Sequence, residues 1–376
     1  MPVESINELI RETQKKYAPD HRVAVFEIEA KTGISGQVFL AGKTNLPVAK
    51  EFLLQKCDDK KLRLGDSIRL LPDKTLGDEI YAVVNLSVAN IRSQPGDAAE
   101  LATQALLGMP VNVLEKRDGW FLIQTPDDYI AWVDEWGIKR MDKANLNDWL
   151  KMKKIIYANP FGFSYSRPDK SSQTVSDLIA GDMLRTDGED GNYFKAIYPD
   201  GRKAYVSKEE AKDYEIWLSQ AKPTAENLLA TARKLMGLPY LWGGTSFKGV
   251  DCSGFTKTVF FLNGIIIQRD ASQQVNSGEL INTDDSYDGL QPGDLLFFGR
   301  RANEKISEKV SHVAVYLGNL EYIQSSGMVR TSSFQSSHPD YNKRRASMLL
   351  RGRRYLGHSG EKGIILIKDS PYYKIH

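Results

Sequence analysis

Apolar residues at Ile6, Leu9 and Ile10 fall on one face of a 3.6-residue repeat, and Ser5 with Glu8 has the spacing of a capping box that opens a helix there. Val23 to Ile28 and Gln37 to Leu40 run apolar or alternate as strands do. Helical spacing returns over Pro47 to Cys57, with Val48, Phe52, Leu53 and Cys57 as the apolar positions. Beyond this small α+β unit the chain breaks into short segments punctuated by turn residues, such as Asp187-Gly188-Glu189-Asp190-Gly191 and Pro199-Asp200-Gly201, which suit hairpins. A polar stretch, Ser219-Gln220-Ala221-Lys222, then leads through Pro223-Thr224 into a helix from Ala225 to Gly237, with Pro239 beyond its end. A second helix is expected over Ser253 to Leu262, burying Phe255, Val259, Phe260 and Leu262. Strict alternation follows from His312. Val313, Val315 and Leu317 point one way and His312, Ala314 and Tyr316 the other, and Glu321 to Ser325 reads as the antiparallel return.

Two of these elements carry chemistry. Asp251-Cys252-Ser253 has the form of a helix N-terminus with Asp251 as N-cap, so first-turn amides and the positive end of the helix dipole would face the Cys252 sulfur. A thiolate is the nucleophilic form, and an ordinary cysteine is only slightly ionised at neutral pH. An imidazole beside it, with His312 as the candidate on the face expected to meet the cysteine, would complete a thiolate-imidazolium pair. Gln324 on the return strand would orient that ring if residues 312 and 324 share a face, which requires an odd-length connection such as Gly318-Asn319-Leu320. Cys57, inside an apolar helical pattern, is expected to be a small buried hydrophobe, and His338 and His358 ordinary loop residues.

Composition narrows the class further. A chain of 376 residues exceeds one ordinary core, and Lys and Arg number 50 against 48 Asp and Glu, so no nucleic-acid footprint follows. The densest basic run, Lys343-Arg344-Arg345 through Arg351, Arg353 and Arg354, reads as solvated surface, with the alternative that it attracts substrate carboxylates. Two cysteines make no disulfide framework, no metal cluster or other cofactor motif is visible, and no apolar run is long enough to span a membrane. With no leader visible in the polar first residues, a cytoplasmic protein is expected, or a periplasmic or envelope protein if a leader was removed.

Tyr240-x-Trp242-Gly243-Gly244, Asp251-Cys252-Ser253-Gly254, Pro292-Gly293-Asp294-Leu295 and His312-x-Ala314-x-Tyr316-x-Gly318, in this order, resemble the NlpC-type family of papain-like cysteine peptidases that cut bacterial cell-wall peptides. The resemblance covers roughly Pro223 to Tyr355 and implies Cys252 as nucleophile, His312 as general base, Gln324 at a third polar position often held by histidine, and Tyr240 near the nucleophile, where it could serve the oxyanion with the Cys252 amide. Upstream, Ala89-Asn90-Ile91-Arg92, Leu101 to Gly108, Gly119-Trp120-Phe121 and Tyr129 to Val133 look like a bacterial SH3-like barrel, with a second over Lys151 to Glu215. That order resembles the γ-D-glutamyl-L-diamino-acid endopeptidases, also called the dipeptidyl-peptidase VI type, in which the first SH3-like module restricts the groove to peptides with a free N-terminal L-alanine. The resemblance implies Tyr129 and Asp270 as binders of that amine and Glu100 as the nearest acid to a third position, with Ser253 and Trp242 also lining the substrate site.

The expected fold is therefore α+β and multidomain: an N-terminal module over 1–85, SH3-like barrels over 86–142 and 150–216, a papain-like catalytic domain over 222–358 and a tail over 359–376. The expected partner is a murein peptide, with no nucleic acid, no integral membrane segment and an oligomeric state left open. The alternatives are an amidase or endopeptidase acting on intact peptidoglycan stems, or a cell-wall binding protein with a vestigial peptidase domain.

Overall fold

In the computed structural model the first helix runs over Val3–Tyr17 and buries Ile6, Leu9 and Ile10. The structure describes residues 3–34, 36–62, 64–284 and 286–375, and Met1, Pro2, Ser35, Arg63, Asp285 and His376 lie outside the described residues. Because the helix is already under way at Val3, Ser5 and Glu8 sit in its first turns and do not form the cap expected of them. Strand Phe26–Thr32 pairs antiparallel with Val38–Thr44, which runs parallel to Gly65–Leu70. The parallel step is bridged by helix Pro47–Asp59, because parallel neighbours need a long crossover. That helix buries Ala49, Leu53 and Cys57, whereas Val48, expected on its inner face, is 61% exposed. The strand Gly65–Leu70 escaped the sequence pattern because only Ile68 is buried in it.

Two seven-stranded sheets follow. The first begins ahead of residue 86, because strand Tyr81–Val84 pairs with both Pro110–Arg117 and Ile138–Met141 and buries Val83 and Val84. The second comprises strands between Lys154 and Asp213, and its glycine-bearing turns at Gly191 and Gly201 close hairpins as expected.

The C-terminal part is a six-stranded antiparallel sheet in the order Glu279–Ile281, Leu349–Arg354, Leu295–Arg300, Lys309–Gly318, Glu321–Ser326 and Met328–Ser333. Helices Ala225–Lys234 and Cys252–Phe261 join Leu295, Phe297, Val313 and Val315 in one core on one of its faces. Residues 359–375 are not a loose tail. Ile364–Leu366 pairs with Ile265–Ile267, Ile364 and Ile367 are buried, and the Tyr372 hydroxyl accepts from Asn112 of the first seven-stranded sheet at 2.9 Å.

Buried polar contacts lock these parts together. Lys43 of the N-terminal module pairs with Glu115 at 2.5 Å, and Lys257 of the nucleophile helix pairs with Asp127 at 2.6 Å. Gln104 accepts from Thr245 N at 3.0 Å and Ser246 Oγ at 2.9 Å, so one residue of the first seven-stranded sheet ties down the loop that leads to Cys252. Apolar contact continues across the seams, since Phe261, Ile266 and Ile367 share a cluster with Val111, Phe121 and Ile123.

The nucleophile helix also approaches Gly244 so closely that a Cβ on Gly254 would lie 1.9 Å from the Gly244 carbonyl oxygen. Both neighbours are backbone and cannot swing aside. Gly254→Ala is therefore expected to destabilise the fold by at least about 2 kcal/mol, read as a lower urea midpoint at unchanged slope.

Candidate active site

Asp251 organises the start of the nucleophile helix. Its carboxylate accepts from Gly254 N at 2.7 Å as the N-cap, from Gly243 N at 3.0 Å in the Trp242-Gly243-Gly244 turn, and from Arg269 Nη2 at 2.6 Å and Nη1 at 3.2 Å. Arg269 is only 1% exposed and also donates to Ser253 Oγ at 3.0 Å. The helix begins at Cys252, as the N-cap reading requires, and the Cys252 amide is among the first-turn donors that an α-helix leaves without an internal acceptor. The backbone amides of Val313 and Ser253 lie close enough to the sulfur to favour its thiolate. Burial and the Asp251 carboxylate outweigh them and push the Cys252 thiol up to about 11.

His312 lies within strand Lys309–Gly318 and is buried, with its ring 5.7 Å from that of Phe298. The body of the nucleophile helix packs on the Val313 and Val315 face, while Ala314 and Tyr316 line a separate cluster behind the sheet. The sequence placed the cysteine on the His312 face, whereas the body of its helix packs on the opposite one. Cys252 instead reaches the strand at the Val313 amide, one residue from His312. A register shift opposite Phe298 and Gly299 leaves Ser311 as an extra residue immediately before the histidine, the kind of irregularity that re-aims a side chain.

Gln324 shares the His312 face, but not by the odd-length connection expected. The turn has two residues, Asn319 and Leu320, both at positive φ (51° and 63°), as the twist of a tight hairpin demands. Parity is restored within the strand, where the register shifts between Tyr316 and Gly318 and leaves Leu317 as a bulge. Gln324 Nε2 donates to Ser332 Oγ at 2.8 Å, which turns Oε1 toward the histidine, 2.6 Å from His312 Nε2. The ring therefore carries its proton on Nε2, and Nδ1 keeps the lone pair. Burial and the Arg345 charge, opposed by the Gln324 bond, hold the imidazole down at about 3. Burial thus works against the thiolate and the imidazolium alike, each taken alone. Tyr240 completes the group, its phenol pushed upward by burial and then by the nearby negative charge of Cys252 and Asp251.

The other candidate residues fall into two places. Tyr129, buried immediately before strand Ile130–Asp134 of the first seven-stranded sheet, has its phenol raised by burial and then by the Asp270 carboxylate, whose charge reaches it across the seam. Ser253 lies between Asp251 and Arg269. Glu100 sits elsewhere and accepts from the indole Nε1 of Trp242 at 2.6 Å; among the described residues no bond joins it to Tyr129 or Asp270. His338 and His358 pair with Glu321 and Glu361, respectively, and Cys57 is a buried thiol of the N-terminal module.

Sequence reasoning missed Arg345. Its guanidinium lies 5.7 Å from the centre of the Phe298 ring that also borders His312, and it feels the charges of Tyr322, Cys252 and Tyr240. Other members of the basic run have partners: Arg351 pairs with Glu308, Arg354 with Asp294 at 2.8 Å, and Arg353 donates to the Gly278 carbonyl at 3.1 Å. Among the described residues, no carboxylate pairs with Arg345. The run was visible in sequence, but only the strand pairing that carries residues 349–354 back beside His312 brings one member over the site.

A thiol at a helix N-terminus, next to a strand that carries an amide-oriented imidazole, defines a cysteine peptidase. The family description NlpC/P60 family matches residues 237–348, and Bacterial dipeptidyl-peptidase Sh3 domain matches residues 91–138. The chain is 31% identical to a gamma-D-glutamyl-L-lysine dipeptidyl-peptidase of Bacillus cereus over 61% of its own length and 68% of the relative's. It is 28% identical to dipeptidyl-peptidase 6 of Lysinibacillus sphaericus, over 70% of this chain and 94% of that one. A crystal structure of an NlpC/P60 family protein from Bacillus cereus superimposes with a TM-score of 0.62 at 25% identity, covering 73% of this chain and 99% of the other. An NlpC/P60 endopeptidase from Photobacterium damselae shares the fold, with a TM-score of 0.56 at 14% identity, over 98% of this chain and 85% of that one. The chain belongs to the NlpC/P60 family and is a cysteine peptidase with an SH3-type domain.

Two outcomes follow from this geometry. Arg269→Leu leaves Asp251 buried without its counter-ion, and a loss of about 3–5 kcal/mol in unfolding free energy is expected in urea titrations, together with loss of activity. Arg345→Ala removes a positive charge that disfavours the imidazolium, so the acid limb of the kcat/KM profile is expected to move to higher pH by about half a unit to one unit. The sign is set because His312 must be neutral to accept the thiol proton. Arg345→Lys should restore most of the original profile.

Proposed function

We propose that the chain hydrolyses the amide bond between γ-D-glutamate and a diamino acid in murein-derived peptides that bear a free N-terminal L-alanine. The observation that carries the reading is the oriented chain Ser332, Gln324, His312, which leaves Nδ1 unprotonated on the strand whose Val313 amide lies against the Cys252 sulfur. In the first step Nδ1 takes the thiol proton as sulfur attacks the γ-carbonyl carbon. The Cys252 amide and the Tyr240 hydroxyl donate to the oxyanion. Collapse of the tetrahedral adduct breaks the C–N bond, and the imidazolium protonates the departing amine. Water, deprotonated by the same nitrogen, then cleaves the thioester and regenerates the thiol.

The substrate class is supported by the names of the relatives, a γ-D-glutamyl-L-lysine dipeptidyl-peptidase and a dipeptidyl-peptidase 6. Recognition of the free amine is supported by Tyr129 and Asp270, which meet at the seam between the first seven-stranded sheet and the peptidase. An ammonium leaving water needs a carboxylate or phenol oxygen in exchange. In this reading both seven-stranded sheets are SH3-like barrels, the finer domain plan is an N-terminal module, two barrels and a catalytic domain, and Ser253 and Trp242 line the groove. A substrate already released from the glycan supports a cytoplasmic site of action, which subcellular fractionation tests.

The protein and its Cys252→Ala variant are to be incubated with L-Ala-γ-D-Glu-diaminopimelate, its lysine counterpart and the N-acetylated forms, and dipeptide release followed by mass spectrometry. Release from the free peptides only, and only with Cys252 present, is expected. Equal release from acetylated peptides would remove the amine requirement, and cleavage of intact stems alone would favour the amidase or endopeptidase alternative.

A further inference from the structure

The loop between the first helix and the first strand of the N-terminal module reaches the peptidase. Arg22 Nη1 donates to Asp270 Oδ2 at 2.8 Å and to Ser272 Oγ at 2.9 Å. Its other guanidinium nitrogens are held by Asp20, with Nε donating to Oδ1 and Nη2 to Oδ2, each at 2.8 Å. Gln273 Nε2 also donates to Asp20 Oδ2 at 2.8 Å, while Gln273 Oε1 accepts from the Asp270 backbone amide at 3.1 Å. The four side chains thus form a closed ring across the seam. The Arg22 carbonyl meanwhile accepts from Ile130 N at 2.7 Å, directly after Tyr129. One residue of the N-terminal module therefore grips Asp270 with its side chain and the Tyr129 segment with its backbone.

Charge decides what this ring is suited to hold. The ring's two carboxylates, Asp20 and Asp270, face one guanidinium, Arg22, which leaves one net negative charge. The neighbouring Arg269 is already engaged by Asp251 at 2.6 Å and stands 3.9 Å from Asp270. Lys257 and Asp127 are likewise paired at 2.6 Å. Although burial opposes its charge, hydrogen bonds from Arg22 and Gln273 hold the Asp20 carboxyl down at about 2, so the ring stays ionised at neutral pH. A single added cation would balance it.

We propose that Arg22, with Asp20, is a positioning residue for the amine subsite, holding Asp270 against Tyr129 so that the ring's uncompensated negative charge receives the substrate ammonium. The N-terminal module is then part of the specificity site. This rests on the reading of Tyr129 and Asp270 as the amine-recognition pair. An Arg side chain suits the task because its fork holds Asp20 and Asp270 at once with fixed angles.

The test compares the full-length protein with its Arg22→Ala, Arg22→Lys and Asp20→Asn variants on L-Ala-γ-D-Glu-diaminopimelate and its N-acetylated form. The rate of Cys252 alkylation by iodoacetamide is measured in parallel to report on the nucleophile alone. For Arg22→Ala, KM for the free peptide is expected to rise about tenfold, with kcat and alkylation rate near the unmodified values and a smaller preference over the acetylated form. Arg22→Lys should recover part of the preference, which a bulk packing role would not restore. Should Arg22→Ala fail to fold, Asp20→Asn keeps the side-chain size but replaces one accepting oxygen with a donor, which loosens the hold on Arg22 and is expected to move KM in the same direction. An unchanged KM and preference in the variants, with the unmodified enzyme still discriminating, overturns the positioning role alone. An unmodified enzyme that cleaves both peptides equally overturns the amine subsite itself.

Discussion

The buried pair of Asp251 and Arg269 is the interaction on which the site depends. Asp251 caps the nucleophile helix and accepts from Gly243, and a carboxylate in a dry interior is tolerable only with a counter-ion and filled lone pairs. Arg269 supplies both, and its second contact, to Ser253, fixes the residue after the nucleophile. The same carboxylate costs the site something. Its charge, together with burial, pushes the thiol upward, so the device that positions Cys252 also works against its thiolate. Reactivity is left to depend on the imidazole.

That dependence explains the arrangement around His312. A glutamine at the third position cannot carry charge, so it orients the ring without stabilising an imidazolium, and Arg345 disfavours the imidazolium further. Both effects keep Nδ1 available as a base. Arg345 also lies near the sulfur and the Tyr240 hydroxyl, where negative charge develops during attack. Positive charge placed there favours the negative charge of the transition state.

The remaining modules act through their seams. Gln104 holds the loop before Cys252, Asp127 holds Lys257 of the nucleophile helix, and Arg22 holds Asp270. Shared apolar contact makes the seams continuous with the cores on either side. Regions that look like separate modules along the chain are thus joined by polar and apolar contacts at their seams.

Local signals in the sequence carried a large part of this. The N-cap at Asp251, the alternation after His312, the glycines of the Trp242-Gly243-Gly244 turn and the helix beginning at Ala225 are set by neighbours a few residues away, and they were legible for that reason. Parity was different. Whether Gln324 faces His312 depended on a bulge at Leu317, which adjacent strands impose and no residue type announces. The strand Gly65–Leu70 and the strand in the C-terminal segment were likewise hidden, since their burial comes from partners distant in sequence. Arg345 and Arg22 read as ordinary charges because a charge has no local pattern that marks its partner. The sequence by itself marked the candidate residues for the chemistry and determined the helix start at Cys252. Tertiary structure alone decided how strongly burial and remote charges press on Cys252 and His312, because desolvation and Coulomb interaction depend on the distances that long-range packing creates.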